Sequence, residues 1–141
     1  MARLSLFVFA VLIGCLASPA QAQVAQADRA EIERAIRDQI DAFRRDAAEE
    51  AFAFAAPAIR ERFGDAERFM AMVRKGYAPV YRPRAVSMGV LRAFNDGLAQ
   101  EVFLVGPTGA AYVALYPVER QPDGSWKIAG CYLSKRAEQA I

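Results

Sequence analysis

The sequence predicts an α+β domain, with N-terminal helices packed on a curled antiparallel sheet of four to five strands. Three observations carry that expectation. Apolar residues recur at three- and four-residue steps as far as Gly76, and at alternate positions beyond it. Turn signals punctuate the second half at Asn95-Asp96-Gly97, Gly106-Pro107-Thr108-Gly109 and Gln121-Pro122-Asp123-Gly124. Finally, 141 residues, 55% of them hydrophobic, supply one core of ordinary size but too little chain for two domains.

The first 22 residues read as an export leader. Met1-Ala2-Arg3 is a short basic start, Leu4 to Leu16 is an uncharged apolar run, and Pro19 precedes an Ala20-x-Ala22 cleavage pattern. Thirteen apolar residues are short for a membrane span. Cleavage is expected between Ala22 and Gln23, giving a periplasmic or secreted domain of residues 23–141 with its core at about 28–133. The second reading takes Leu12-Ile13-Gly14-Cys15 as a lipobox, with Cys15 lipidated and the chain anchored to a membrane. Cleavage after Ala22 removes Cys15 and leaves Cys131 as the single thiol, so the core alone must hold the domain.

Asp28 and Glu31 have capping-box spacing, and Ile32, Ala35, Ile36, Ile40 and Phe43 form one apolar stripe behind them. A helix is expected from Asp28 to about Arg45. Asp46 and Glu49 repeat the spacing, predicting a shorter helix that Pro57 ends or kinks, anchored by Phe52 and Phe54. Ala58–Phe63 reads as a helical turn stopped by Gly64. Asp65 caps a helix through Lys75, with Phe69, Met70, Met72 and Val73 inward and Gly76 as its exit. Tyr77–Val86 is expected to be extended, since neither Pro79 nor Pro83 suits a central paired position. Strands are expected at Ser87–Phe94, Leu98–Val105, Ala110–Glu119 and Ser125–Leu133, with a frayed tail from Ser134.

Composition narrows the function classes. Eighteen Lys and Arg against 16 Asp and Glu, with no basic block, give no footprint for nucleic acid. There is no histidine, which removes the commonest neutral-pH base, the commonest metal ligand and every imidazole triad. No CxxC pair, metal-ligand cluster or glycine-rich phosphate loop occurs, so no metal and no cofactor is expected.

Four groups of residues are candidate sites. Arg82 and Arg84, two apart in an extended segment beside Tyr81, would share a face and grip a carboxylate or phosphate; the alternative is a solvated, proline-blocked edge. Glu101 shares parity with Phe103 and Val105, so it would serve as an acid or base if it points into apolar surroundings. The alternative places Gln100-Glu101 at the solvent-facing end of a strand. Tyr112 and Tyr116 alternate onto one face with Ala114, either lining a cavity or packing the core with their hydroxyls at its rim. Cys131 reads as a small buried hydrophobe, with a reactive or intermolecular role as the alternative. The Phe69, Met70, Met72 and Val73 cluster reads as core before it reads as a binding lip.

Helices followed by a hairpin-connected sheet ending in Gly124-Ser125-Trp126-Lys127-Ile128 resemble the nuclear transport factor 2-like (cystatin-like) superfamily. That resemblance implies a cone in which the sheet wraps the first helix and leaves a pocket at the wide end. More specifically, Phe54-Ala55-Ala56-Pro57-x-Ile59, Phe63, Phe69-Met70-x-Met72-Val73, Tyr77 and Val80-Tyr81-Arg82-Pro83 resemble a bacterial family, domain of unknown function 4864. Gln100-Glu101-Val102 and Glu119-Arg120-Gln121-Pro122-Asp123-Gly124-x-Trp126 resemble it too. This similarity covers most of the chain after the leader and implies a fold and an export habit, but no reaction. Catalytic members of the superfamily generally hold an Asp, Tyr or His inside the cone; here His is absent and no Asp lies in an apolar strand.

The functional expectation is therefore a non-catalytic module that binds a small molecule or a protein. An assembly protein that homodimerises through its sheet face is the first alternative. The second is an isomerase- or cyclase-like enzyme with Glu101 as acid or base and a tyrosine such as Tyr112 as oxyanion donor. Contact with a membrane is expected only if Cys15 is lipidated.

Overall fold

The computed structural model describes residues 19–137, with side chains from Gln26 onward. The apolar run Leu4–Leu16 and Cys15 lie outside the described residues. Among the described residues five helices precede a five-stranded antiparallel sheet, so the class is α+β.

Helix α1 (Pro19–Arg44) begins upstream of Asp28, which lies inside the helix and is not its cap. The carboxylate of Asp28 instead accepts from Trp126 Nε1 at 3.2 Å and from Arg120 Nη1 at 3.5 Å, fastening α1 to the sheet. Ile32, Ile36, Ile40 and Phe43 are buried as one stripe. They join Val102, Leu104, Ala114, Tyr116, Val118 and Ile128 of the sheet in a single core. Each such side chain contributes about 1.5–3 kcal/mol by leaving water.

Asp46 is likewise not a cap. Helix α2 (Ala48–Ala53) starts after Ala47, with no side-chain bond at its N-terminus. Asp46 takes a left-handed conformation at φ 54°, one that Asp tolerates better than most residues. From there its carboxylate accepts from the Tyr81 hydroxyl, from Arg82 Nη2 at 2.7 Å and from Arg74 Nη2 at 3.3 Å. Arg82 Nη1 donates to the Arg44 carbonyl, and its guanidinium lies 4.5 Å from the Tyr81 ring centroid.

Pro57 opens helix α3 (Pro57–Phe63) rather than only ending α2, because a first-turn residue needs no N–H partner. Gly64, at φ 78°, stops it. Asp65 caps helix α4 (Ala66–Gly76) as expected, accepting from the Arg68 N–H at 2.8 Å. Tyr77–Val86 is not extended throughout. Ala78–Tyr81 forms a single turn, α5, with Pro79 in the first-turn position that suits it, and the strand begins only at Ala85.

In the sheet, β1 (Ala85–Phe94), β2 (Gly97–Val105) and β3 (Ala111–Arg120) form a meander, and β4 (Trp126–Ile128) and β5 (Tyr132–Lys135) share the far side of β3. The single last strand expected over Ser125–Leu133 is therefore two strands, and pairing continues past Ser134 to Lys135. Val118 faces Ile128, but Leu115 faces Tyr132. Two residues of β3 thus oppose the three residues 129–131, which is a bulge. Pro117, which has no N–H to donate, sits at this break, and its carbonyl accepts from the Ala129 N–H at 2.8 Å. A second irregularity lies between Met88 and Leu91 of β1. The segment after α2 closes the other side of β4: Ile128 N–H donates to the Phe54 carbonyl and Ala56 N–H to the Ile128 carbonyl, both at 2.8 Å.

Two stability experiments follow from this framework. Ile36→Ala, at a fully buried position, is expected to cost about 2–5 kcal/mol in urea unfolding. The Asp46 carboxyl is held below its ordinary range, first by the Tyr81 hydrogen bond and then by Arg74 and Arg82. A depressed pKa contributes stability present above the unfolded carboxylate range and lost as pH falls through the folded value. Asp46→Asn is thus expected to lower the thermal midpoint by a few degrees at pH 7. The gap to the parent protein should close as pH drops below about 4.

Candidate functional site

A cavity of about 390 Å³ lies between the helices and the β3, β4 and β5 side of the sheet. Its size falls at the lower end of small-molecule sites. Gln39 and Phe43 of α1 form one wall; Ile59 and Phe63 of α3 with Phe69, Met72 and Val73 of α4 form another. The bulge residues Ala129, Gly130 and Cys131 complete it beside Tyr116. The offset at Pro117 thus places Cys131 in the cavity, opposite Tyr116 on the concave face. Arg62 is the exposed member of the lining on the helix side and marks where the cavity opens. Tyr132 is 61% exposed and stacks at a tilt on Phe94, centroid to centroid 5.6 Å.

The polar atoms here are few. Tyr116 is 1% exposed, and its hydroxyl has no hydrogen-bond partner. Burial pushes the phenol well above its usual pKa, with a smaller contribution from the neighbouring Cys131 thiol. The two groups interact electrostatically, but their geometry falls short of a hydrogen bond. Burial likewise raises the thiol to about 12, the Tyr116 hydroxyl working weakly against it. Both groups are therefore neutral at physiological pH. Gln39 commits its amide N–H to the Ala51 carbonyl at 3.1 Å.

Gln100 supplies the second buried polar atom without a partner, its Oε1. Its Nε2 donates to the carbonyls of Gly89 and Glu101, both at 2.9 Å. Gln100 and Tyr116 are directly paired across β2 and β3. The two unsatisfied buried side-chain atoms among the described residues therefore belong to cross-strand neighbours on one face. An unpartnered buried polar group costs about 1–3 kcal/mol; of this pair Tyr116 lines the cavity and Gln100 does not.

The residues singled out in the sequence scatter around this site. Tyr116 lies in it. Tyr112, on the same face, does not line the cavity; its ring packs on Gly106, 3.0 Å from where a Cβ would stand there. Glu101 does not point into the core or the cavity. It lies half-buried on the outer face with Phe103 and Val105, beside the Gly89 irregularity, where an added Cβ would come within 2.8 Å of its Oε1. Nor is Gln100 solvent-facing: it is fully buried. Tyr81 and Arg82 do not pair with Arg84 as an anion grip. Asp46 engages the first two, while Arg84 is exposed, its N–H bonded to the Val105 carbonyl at 2.8 Å. Among the described residues no group of three or more His, Cys, Asp or Glu could hold a metal ion, and no helix is long and apolar enough to cross a membrane.

The family model "Domain of unknown function (DUF4864)" matches residues 25–141. The chain belongs to the DUF4864 family. It has no match among curated proteins or among solved structures. The DUF4864 match spans every element that builds the cavity, from Gln39 to Tyr132.

Cys131 gives a direct check on the electrostatics of this DUF4864 site. With its thiol raised to about 12, alkylation by iodoacetamide at pH 8 should run at least about a hundredfold slower than for a free cysteine. The ordinary rate should return in denaturant; a fast native rate would show that the thiol is not desolvated.

Proposed function

We propose that this chain is an exported, non-catalytic binding module that holds a small, largely apolar molecule in the cavity between α1, α4 and the β3–β5 side of the sheet. The observation that carries this reading is Tyr116, a lining residue of a largely apolar cavity whose buried, neutral hydroxyl has no hydrogen-bond partner among the described residues. A ligand acceptor would satisfy it. The long helix held on a curled five-stranded sheet supports placing the fold in the nuclear transport factor 2-like superfamily. The leader pattern of residues 1–22 supports export to the periplasm or beyond, with lipidation of Cys15 as the alternative route.

An assembly role is the second reading, and one observation favours it. The outer sheet face carries Phe103, Val113 and Leu115, half-exposed, with the exposed Tyr132 nearby. An isomerase- or cyclase-like reading draws no support from the cavity, whose lining among the described residues includes no carboxylate.

Native and denaturing mass spectrometry on protein from its own cell envelope tests these readings together. A mature chain beginning at Gln23 with a small molecule retained in the native spectrum is the expected result. Tyr116→Phe is expected to lose that molecule by about tenfold in occupancy-matched affinity, the usual scale of one buried hydrogen bond. A ligand-free dimer would favour the sheet face instead, and a lipidated Cys15 would make the chain membrane-anchored.

A further inference from the structure

Resting on the reading that the cavity holds a small molecule, we propose that its ligand is an amphipathic monoanion. It has a planar apolar body inside, a hydrogen-bond acceptor at the inner end, and a carboxylate at the mouth beside Arg62. The wall dictates each part. Phe43, Phe63, Phe69 and Tyr77 are aromatic members of the wall, and aromatic surfaces suit flat ring systems better than flexible chains. A volume of about 390 Å³ holds a body on the scale of two fused rings. The inner polar group is the neutral hydroxyl of Tyr116, whose proton a ketone or ether oxygen of the ligand would accept.

The charge must be outside. A carboxylate within this wall would be desolvated with no countercharge, a cost no apolar contact offsets. At the mouth, Arg62 is the only cationic side chain of the lining among the described residues. Its guanidinium lies 5.7 Å from the Phe63 ring centroid and takes part in none of the ion pairs among the described residues. By contrast, Arg82, Arg74 and Arg45 are all engaged by carboxylates. One planar fork matches one carboxylate, whereas a phosphate dianion would keep a charge unpaired. Arg60, the other arginine of α3, is stacked over Phe52 at 5.2 Å and does not line the cavity.

The test uses the chain purified from cells expressing the whole sequence, titrated calorimetrically with three probes: 6-acetyl-2-naphthoate, the neutral 6-acetyl-2-naphthamide, and 6-ethyl-2-naphthoate, which lacks the inner acceptor. The acetyl naphthoate should bind best. Replacing its carboxylate by the amide should weaken it about three- to fivefold, the modest scale of an exposed charge pair. That preference should vanish in Arg62→Gln and at high ionic strength, where a surface charge is screened. Tyr116→Phe should weaken both acetyl probes about tenfold and leave the ethyl probe unchanged. Arg62 is exposed, so its replacement keeps the test valid even if Tyr116→Phe unfolds. If the amide binds as well as the carboxylate, or the preference survives in Arg62→Gln, the monoanion assignment is overturned while the cavity reading stands. If none of the three probes binds, the planar monoanion is overturned, and a native mass spectrum without a retained small molecule would overturn the cavity reading itself.

Discussion

A helix that carries Ile32, Ile36, Ile40 and Phe43 on one side can persist in water only if that side is covered, since secondary structure alone does not stabilise it. The cover is the concave face of the sheet, and the other elements are arranged around this contact. Asp28 ties the N-terminal half of the helix to Trp126 and Arg120. At the other end, Asp46 gathers Arg74, Tyr81 and Arg82, so that α4 and α5 are fixed against the end of α1. The cavity lies between these fastenings, where α3 and α4 bridge from the helix to the last two strands.

The parts of the fold that were legible in the sequence are those with a local cause. The Ile stripe, the Asp65 cap, the Gly64 stop and the three turn signals each depend on neighbours within a few residues, and each appears where expected. The errors share another cause. Asp28 and Asp46 have cap spacing, yet both carboxylates are taken by groups 28 to 98 residues away in sequence. Long-range partners leave no local trace. Pro79 suggests an extended, unpaired segment over Tyr77–Val86, although the same missing N–H equally permits the first turn of α5.

The candidate site was harder to read because β2 is apolar on both parities. In Gln100-Glu101-Val102-Phe103-Leu104-Val105, either alternate set could be the inner one. The structure turns Gln100, Val102 and Leu104 inward and leaves Glu101, Phe103 and Val105 half-buried outside. A one-residue change of parity thus exchanges a carboxylate for an amide at the core, and with it the chemistry available there. Cys131 poses the same problem in another form. Its position beside Tyr116 depends on the extra residue in the 129–131 bulge, and only the absence of a donor at Pro117 hinted at it.

The irregularity in β1 bears on how the protein behaves when crowded. Among the described residues β1 pairs only with β2, so its far side is an open edge of their sheet, and open edges recruit strands from other molecules. Here the ladder is interrupted between Met88 and Leu91, and the Gly89 carbonyl is already occupied by Gln100 Nε2 at 2.9 Å and approached by Arg29 Nη2 at 3.5 Å. An incoming strand would find no unbroken row of acceptors to zip along. The buried amide of Gln100 thus also occupies one of the backbone acceptors of this edge strand.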